Sequence, residues 1–400
     1  MWMRGCAKQL PILNNGPINR FMFMNDNKKR FLIFSTAYLP FVGGAELAVK
    51  NITDRILEVE FVMVTARLNK NLPEKEKIGN VFVHRFGKGN KWDKFRLILR
   101  GARFAKTLGK FDLIWSIMAS YAGFAALNYK KSHPNIPYLL TLQEGDSRFK
   151  IYKNVWFVWL YFKQIFKRAD YIQAISNYLA NWARDMGAKC PVKVIPNGVD
   201  IAKFTRLDSA KLANIKIEDH IPCEHKRVIT TSRLVAKNAV EDLIMSAEYL
   251  PENIHFTIIG SGKLENSLKK LAADRGWESR AHFLGSLEHD DIVLHLQQSQ
   301  VFCRPSLSEG LGNSFLEAMA VGVPVIGTNV GGIPDFLQDG KTGWFCEIKN
   351  PKSIAEKIKY VLDEKNKVEV DKVRDNAKKL VVEKYNWDII AKQMKQLFGW

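Results

Sequence analysis

Between residues 30 and 327 short β-rich runs alternate with longer helical stretches, and this alternation restricts the fold more than any other feature. The runs fall at residues 31–35, 61–65, 81–85, 112–116, 137–142, 171–175 and 192–196, and then at 228–232, 255–260, 281–284, 301–303 and 323–327. Strand followed by helix, repeated, predicts parallel sheets covered by helices on both faces. A polar stretch over residues 201–226 interrupts the pattern, with the turn signal Asn197-Gly198 just before it. The reading is therefore α/β, with two doubly wound domains. The boundaries are 28–204 for the first and 205–385 for the second, with residues 386–400 as a closing helix that packs back on the first. Residues 1–27 contain Pro11 and Asn15-Gly16-Pro17 without clear period. They read as a disordered leader or as sequence upstream of a start at Met22 or Met24.

Charge separates the two halves. Residues 1–200 hold 32 Lys and Arg against 14 Asp and Glu, whereas residues 201–400 hold 28 against 27. A one-sided excess of this size points to an anionic partner for the first half. The most apolar run, residues 155–162, is about half the length of a membrane-spanning helix and is flanked by Lys153 and Lys163. The first residues lack the apolar core of a secretory signal. The five cysteines (Cys6, Cys190, Cys223, Cys303 and Cys346) have no paired spacing, which argues against a metal site or disulfide framework and fits a cytoplasmic protein.

Doubly wound sheets bind ligands at the carboxyl ends of their strands, so the loops there carry the functional reading. Residues 301–327 read as strand, glycine-containing loop, helix, turn and strand. Gly310 and Gly312 admit close backbone approach. The helix opens at Asn313 or Ser314, where free N–H groups suit a diphosphate. Glu309 lies in the loop and Glu317 eight positions on, in the first turn. Both are placed to accept hydrogen bonds from sugar or ribose hydroxyls, although Ser314-x-x-Glu317 is equally the pattern of a capping box. Gly260-x-Gly262 is either a phosphate loop or a chain reversal, and Gly43-Gly44 either approaches a ligand or starts a helix. Arg233 follows a strand and is free to hold phosphate or to pair with a surface carboxylate. The eight histidines form no metal-like cluster and read as solvated or core residues.

These segments together resemble glycosyltransferase family 4, a retaining family with the GT-B fold of two facing Rossmann-like domains and the donor site in the cleft between them. The resemblance rests on the two glutamates eight apart around the Gly-rich helix start. It extends to Pro40-Phe41-Val42-Gly43-Gly44-Ala45-Glu46, Val194-Ile195-Pro196-Asn197-Gly198-Val199-Asp200, Thr231-Ser232-Arg233-Leu234-Val235, Ile259-Gly260-Ser261-Gly262, and Asn329-Val330-Gly331-Gly332-Ile333-Pro334-Asp335 with Gly340-Lys341-Thr342-Gly343. It covers residues 29–400.

The resemblance implies a hexosyltransferase that uses a UDP- or GDP-linked sugar as co-substrate, with no cofactor and no metal. Glu309 would bind the donor sugar and Glu317 the ribose. Arg233 and Lys237 would hold the diphosphate and stabilise the charge it gains as the glycosidic bond breaks. Gly310, Leu311, Gly312, Asn313 and Ser314 would line the donor site. Gly43 and Gly44 would approach the phosphates from the other domain, Gly260 and Gly262 would join them, and the base would lie against Leu284 and Gly285. The chain departs from the family in two places. Asn238 and Ala239 occupy the usual phosphate-lysine positions, and Gln143 stands where many members have a histidine. Gln143 donates a hydrogen bond but shuttles no proton. The neighbouring Glu144 and Asp146 read either as catalytic or as a polar loop.

The acceptor expected from the basic first half is a lipid-linked or cell-envelope glycan precursor, met on the inner face of the plasma membrane by a peripherally bound enzyme. Residues 91–111 have helical period and would place Arg96, Arg100, Arg103, Lys106 and Lys110 on one side. Residues 153–168 add Trp156, Trp159, Tyr161 and Phe162 beside Lys153, Lys163, Lys167 and Arg168. Tryptophan and tyrosine next to lysine suit a headgroup region. The alternative is a core helix with a solvated basic side and a buried aromatic segment. Rival functions are a sugar-nucleotide epimerase of the same fold or a basic nucleic-acid-binding protein; no nucleic-acid module is present, so no nucleic acid is expected.

Overall fold

The computed structural model describes residues 28–205, 221–222 and 224–399. The leader expected over residues 1–27 lies outside the described residues, as does most of the polar stretch between the domains. Two sheets form, parallel throughout except for β3 at the edge of the first. The first holds β1 (Lys29–Ser35), β2 (Val59–Ala66), β3 (Lys75–Ile78), β4 (Val81–Phe86), β5 (Leu113–Ile117), β6 (Tyr138–Leu142), β7 (Tyr171–Ala174) and β8 (Val192–Val194), in the order β3-β4-β2-β1-β5-β6-β7-β8. The second holds β9 (Lys226–Thr231), β10 (Ile254–Ile259), β11 (Ala281–Gly285), β12 (Val301–Arg304), β13 (Val325–Thr328) and β14 (Trp344–Cys346), in the order β11-β10-β9-β12-β13-β14. The central strands are buried on both faces, as in Leu32, Ile33 and Phe34 of β1, which is why they read as unbroken apolar runs.

Two strands escape the sequence pattern. β3 has the sequence KEKI and pairs antiparallel with β4 at the sheet edge, where its alternating charges leave no buried face. β14 has three residues and extends the second sheet beside β13.

Helices α2 (Asp93–Lys106), α3 (Tyr121–Ser132), α5 (Trp159–Lys167) and α6 (Asn177–Asp185) cover one face of the first sheet. Phe166 meets Trp182 edge-on at 5.0 Å there. On the other face, α1 (Gly44–Asp54) lies beside the helix Trp387–Leu397, which returns from the far end of the chain. Phe398 sets its ring 5.2 Å from both Phe31 and Trp115, and Arg55 pairs with Asp388 at 2.7 Å. The Asn197-Gly198 joint runs under this crossing. A side chain on Gly198 would come within 2.8 Å of the Trp387 ring, so glycine there serves close approach as well as a turn.

Two expected surface elements differ from their sequence reading. α2 stops at Lys106, because Gly109 takes φ 106° and turns the chain, so Lys110 is not on the helix. The aromatic segment is broken into α4 (Arg148–Val155), a 3-10 turn and α5. Phe162 is in the core and Tyr161 is stacked on Phe124, whereas Phe149, Trp156, Phe157 and Leu160 face outward.

Candidate active site

Strand order reverses between β1 and β5 in the first sheet and between β9 and β12 in the second. At such a switch point the flanking loops diverge and leave a crevice. The loops after β1, β9 and β12 are those that carry Gly43-Gly44, Arg233 and Glu309, and the two crevices face one another. A side chain on Gly44 would lie 3.3 Å from Asn313 Nδ2, and one on Gly310 2.5 Å from the Glu144 carbonyl oxygen. Glycine is required at Gly310 because the two domains touch there.

The helix Asn313–Val321 starts at Gly312, whose φ of 107° only glycine adopts freely, and ends at Gly322. Its N-cap makes no side-chain hydrogen bond. Ser314 therefore caps nothing; its Oγ accepts from Arg304 Nη1 at 2.6 Å. Glu317 is the fifth helical residue, in the second turn and not the first, and its carboxylate meets His289 Nε2 at 3.2 Å. The capping-box alternative fails on this geometry. His289 is pulled to a higher pKa by the Glu317 hydrogen bond, against burial.

Beneath the loop lies Arg304, which the sequence reading passed over. It is buried at the end of β12, forms an ion pair with Glu309 and donates from Nε to Ser306 Oγ at 3.1 Å. Burial lowers its guanidinium to about 10, with Glu317 opposing and Arg233 reinforcing the shift. Glu309 also accepts from the Gly310 N–H at 3.2 Å. A buried charge held by a fixed partner keeps one orientation, so Arg304 aims the Glu309 carboxylate. The only signal in the sequence was an arginine closing an apolar strand. Leu311 differs from its sequence reading: the residue is buried, with its side chain in the core.

Arg233 is exposed and pairs with no acid among the described residues. Asn238 turns back to donate to the Arg233 carbonyl at 2.6 Å, which removes it from the cleft. Lys237 takes the cleft position and pairs across it with Asp146 at 3.6 Å. Burial brings the Lys237 ammonium down to about 8; Asp146 opposes this, and Arg233 and Arg304 add repulsion. Asp146 also pairs with Lys150 at 3.0 Å. Its own burial pushes its pKa up, but the Lys150 and Lys237 interactions prevail and hold it low.

Gly260 and Gly262 have a backbone task. Side chains there would come within 1.9 Å of the Ser232 carbonyl and 2.3 Å of the Leu234 carbonyl, so both glycines pack the β10 loop against the loop that carries Arg233. Gly285 takes φ 68° and faces open space next to Leu284. Gln143 accepts from Asn197 Nδ2 at 3.1 Å, and the same Nδ2 lies 3.4 Å from Asn313 Oδ1 across the cleft. Glu144 is not a free acid. It accepts from the Ala119 N–H at 2.5 Å and the Gln143 N–H at 2.9 Å, and burial raises it to about 7. It ties two loops of the first domain together. Three further histidines, His225, His255 and His282, form a chain at 2.8 and 2.9 Å at the opposite ends of β9, β10 and β11. Among the described residues no group of His, Cys, Asp and Glu is arranged to hold a metal ion, and no helix is long and apolar enough to cross a membrane.

Comparisons with known proteins agree with the two-domain fold. The family profile described as Glycosyltransferase Family 4 matches residues 42–203, and that described as Glycosyl transferases group 1 matches residues 214–380. An uncharacterized glycosyltransferase of Methanocaldococcus jannaschii is 26% identical over 92% of this chain and 97% of its own. The GDP-mannose-dependent alpha-(1-6)-phosphatidylinositol monomannoside mannosyltransferase of Mycobacterium tuberculosis is 28% identical over 56% of this chain and 60% of its own. The crystal structure of Anabaena HepE in complex with UDP and glucose superposes with a TM-score of 0.77 at 17% identity, covering 93% of this chain and 99% of that one.

Proposed function

The chain belongs to glycosyltransferase family 4 and is a glycosyltransferase of GT-B fold, and from that premise we propose that it transfers a hexose from a UDP- or GDP-linked donor, with retention of configuration, to a lipid-linked or envelope glycan precursor at the inner membrane face. The observation that carries the donor half is the convergence of Arg233, Lys237 and the open helix start at Gly312 around Glu309. Two cations and oriented N–H groups meet at one place where a diphosphate leaving group gains charge. Arg233, which makes no ion pair among the described residues and feels only the more distant charge of Glu46, and Lys237, held only by a half-exposed carboxylate, are the available cations. Arg304 is already committed to Glu309 and Ser314.

Glu309, fixed by Arg304, then accepts hydroxyls of the sugar, and Glu317, braced by His289, accepts those of the ribose. As the glycosidic bond breaks, the electron pair passes to the diphosphate oxygen and is stabilised by Arg233 and Lys237. The acceptor hydroxyl approaches from the first-domain side, where Gln143 would orient it. Its proton passes to the departing diphosphate, since Gln143 cannot take it. The acceptor half of the reading draws on the basic first domain and on relatives whose names place them on phosphatidylinositol and lipopolysaccharide substrates.

A panel of nucleotide sugars with a membrane-extract acceptor, followed by mass spectrometry and proton NMR of the new anomeric signal, tests the reading. An α-linked product from an α-linked donor is expected. A β-linked product would remove the retaining assignment, and no transfer from any UDP or GDP sugar would remove the donor assignment.

A further inference from the structure

Besides Asp146, a second carboxylate reaches from one domain to the other. Asp335 ends the 3-10 turn Ile333–Asp335 of the second domain. Its Oδ2 accepts the backbone N–H of Asn177, the first residue of α6 in the first domain, at 2.7 Å. No cation pairs with Asp335 among the described residues. A helix start leaves N–H groups without intrahelical partners and carries partial positive charge, so a carboxylate is held there by hydrogen bond and dipole together. The first domain supplies part of this cap itself, since Ser176 Oγ accepts the Leu179 N–H at 3.3 Å. The rest comes from the second domain.

The turn that carries Asp335 is packed on the loop that carries Glu309. The Gly332 N–H donates to the Glu309 carbonyl at 3.1 Å. Gly331 takes φ 57°, and a side chain there would stand 1.9 Å from the same carbonyl oxygen. One on Gly332 would stand 2.1 Å from the Gly310 carbonyl oxygen and 2.7 Å from Cβ of Ser176. Gly332 therefore lies between the cap of α6 and the Glu309–Gly310 peptide, in contact with both. Backbone packed directly on backbone passes on a displacement that flexible side chains would absorb. Ile333, Phe336 and Leu337 are buried behind the turn, and the Tyr385 hydroxyl donates to the Asp335 carbonyl at 3.4 Å, so the turn is anchored at its base.

We propose that Asp335 is a positioning residue for sugar transfer: seated on α6 it holds the cleft closed and, through Gly331 and Gly332, keeps the Glu309 loop where the donor sugar is bound. Opening the cleft takes the α6 start away from Asp335 and frees that loop. The inference rests on the reading that Glu309 binds the donor sugar. It adds that Glu309 is aimed from two sides, by Arg304 at its carboxylate and by the Asp335 turn at its backbone. The nucleotide contacts of Arg233 and Glu317 lie outside this chain of contacts.

The test uses the full chain. Asp335→Ala removes the acceptor, and Asp335→Asn keeps an oxygen without the charge. Hydrogen exchange read by mass spectrometry reports the two sides separately. In Asp335→Ala, exchange should quicken about tenfold over residues 305–315 as well as over 174–182, the scale of one lost hydrogen bond to a charged group. With the UDP- or GDP-linked sugar that the donor panel selects, kcat should fall by a similar factor, while affinity for UDP or GDP alone stays within about twofold. Asp335→Asn should recover most of this and lose only about threefold, because a neutral hydrogen bond is roughly half as strong as a charged one. The isosteric asparagine also keeps the comparison readable if the alanine chain is unstable. Exchange quickened over residues 174–182 alone, or an unchanged kcat, would overturn the inference. Nucleotide affinity lost in proportion to kcat would overturn it too, since the whole cleft and not the Glu309 loop would then have yielded. Glu309→Gln is run beside these variants. Unchanged turnover there would remove Glu309 from the sugar, whereas exchange over residues 305–315 would still decide whether Asp335 holds the loop.

Discussion

On the second-domain wall of the cleft, the two carboxylates Glu309 and Glu317 are held in fixed pairs; on the first domain's outer surface, charge is exposed and mixed with apolar side chains. Arg304 is buried and bonded to Glu309, Ser306 and Ser314. Arg100 is exposed and pairs with no acid among the described residues, with Leu99 uncovered beside it. The first arrangement reads a small ligand by geometry, because each group has one orientation and costs no reordering. The second suits a surface that is itself disordered, where position matters less than total charge and apolar area. The same contrast appears within the first domain. One face of its sheet is sealed by the returning C-terminal helix with Trp387 and Phe398 buried, whereas the helices of the other face leave Trp92, Trp156 and Leu160 outward.

The largest effect expected is on the fixed wall. Arg233→Ala should lower kcat on the order of 100-fold or more, the scale of one lost leaving-group contact, without lowering the melting temperature. Arg304→Ala should do both, because it leaves Glu309 buried without its cation, at a cost of about 3–5 kcal/mol. Glu309→Gln should reduce turnover and spare nucleotide affinity. Steady-state kinetics with parallel melts decide, and a stable, active Arg304→Ala chain would break the contrast between the two walls.

Next is Glu317→Gln. Calorimetry should show UDP or GDP binding weakened about tenfold, the equivalent of 1.4 kcal/mol. The melting temperature without nucleotide should hold, since no capping box depends on Glu317. A loss of about 1 kcal/mol of stability with affinity intact would mean that the Glu317–His289 contact serves the fold and not the ribose.

A smaller, pH-dependent effect follows from Lys237, whose ammonium titrates at about 8. It is charged below that pH, so kcat/KM for the donor should fall as pH rises through about 8. Lys237→Arg keeps the charge and should carry the limb upward by more than a unit. The stability sign is opposite. The folded value lies below the 10.5 of the unfolded chain, so Lys237's contribution is present above 10.5 and is lost as pH falls through 8. Melts of the unliganded protein against Lys237→Met, which removes the titration, isolate it.

Much of the fixed wall was legible because its chemistry is local. Glycines at a helix start, two glutamates eight apart and an arginine after a strand are all spacing signals. The supports were not legible, since they come from afar. His289 reaches Glu317 from 28 positions away and Asp146 reaches Lys237 from another domain. Period alone placed the basic strip of α2 but not its apolar neighbour Leu99, nor the outward residues Phe149, Phe157 and Leu160 of the aromatic segment. Which side of an all-aromatic segment faces water depends on what covers it, and that is tertiary. The charged edge strand β3 carried no apolar period to find.

The smallest effect expected is at a charged contact that spans the two walls. Asp146 belongs to the first domain and Lys237 to the second, and they pair at 3.6 Å with the Asp146 side chain 40% exposed. On the proposed reading a bound diphosphate takes Lys237 from Asp146, so the carboxylate competes with the donor. An ion pair this exposed is worth about 0–1 kcal/mol after screening. Asp146→Asn keeps the shape and removes the competitor, so nucleotide diphosphate should bind up to about fivefold more tightly. The gain should shrink as salt rises. Titration calorimetry at low and high salt measures both. A weaker affinity would mean that Asp146 helps hold the donor or its lysine in place, and the carboxylate would then belong with the fixed groups of the second-domain wall.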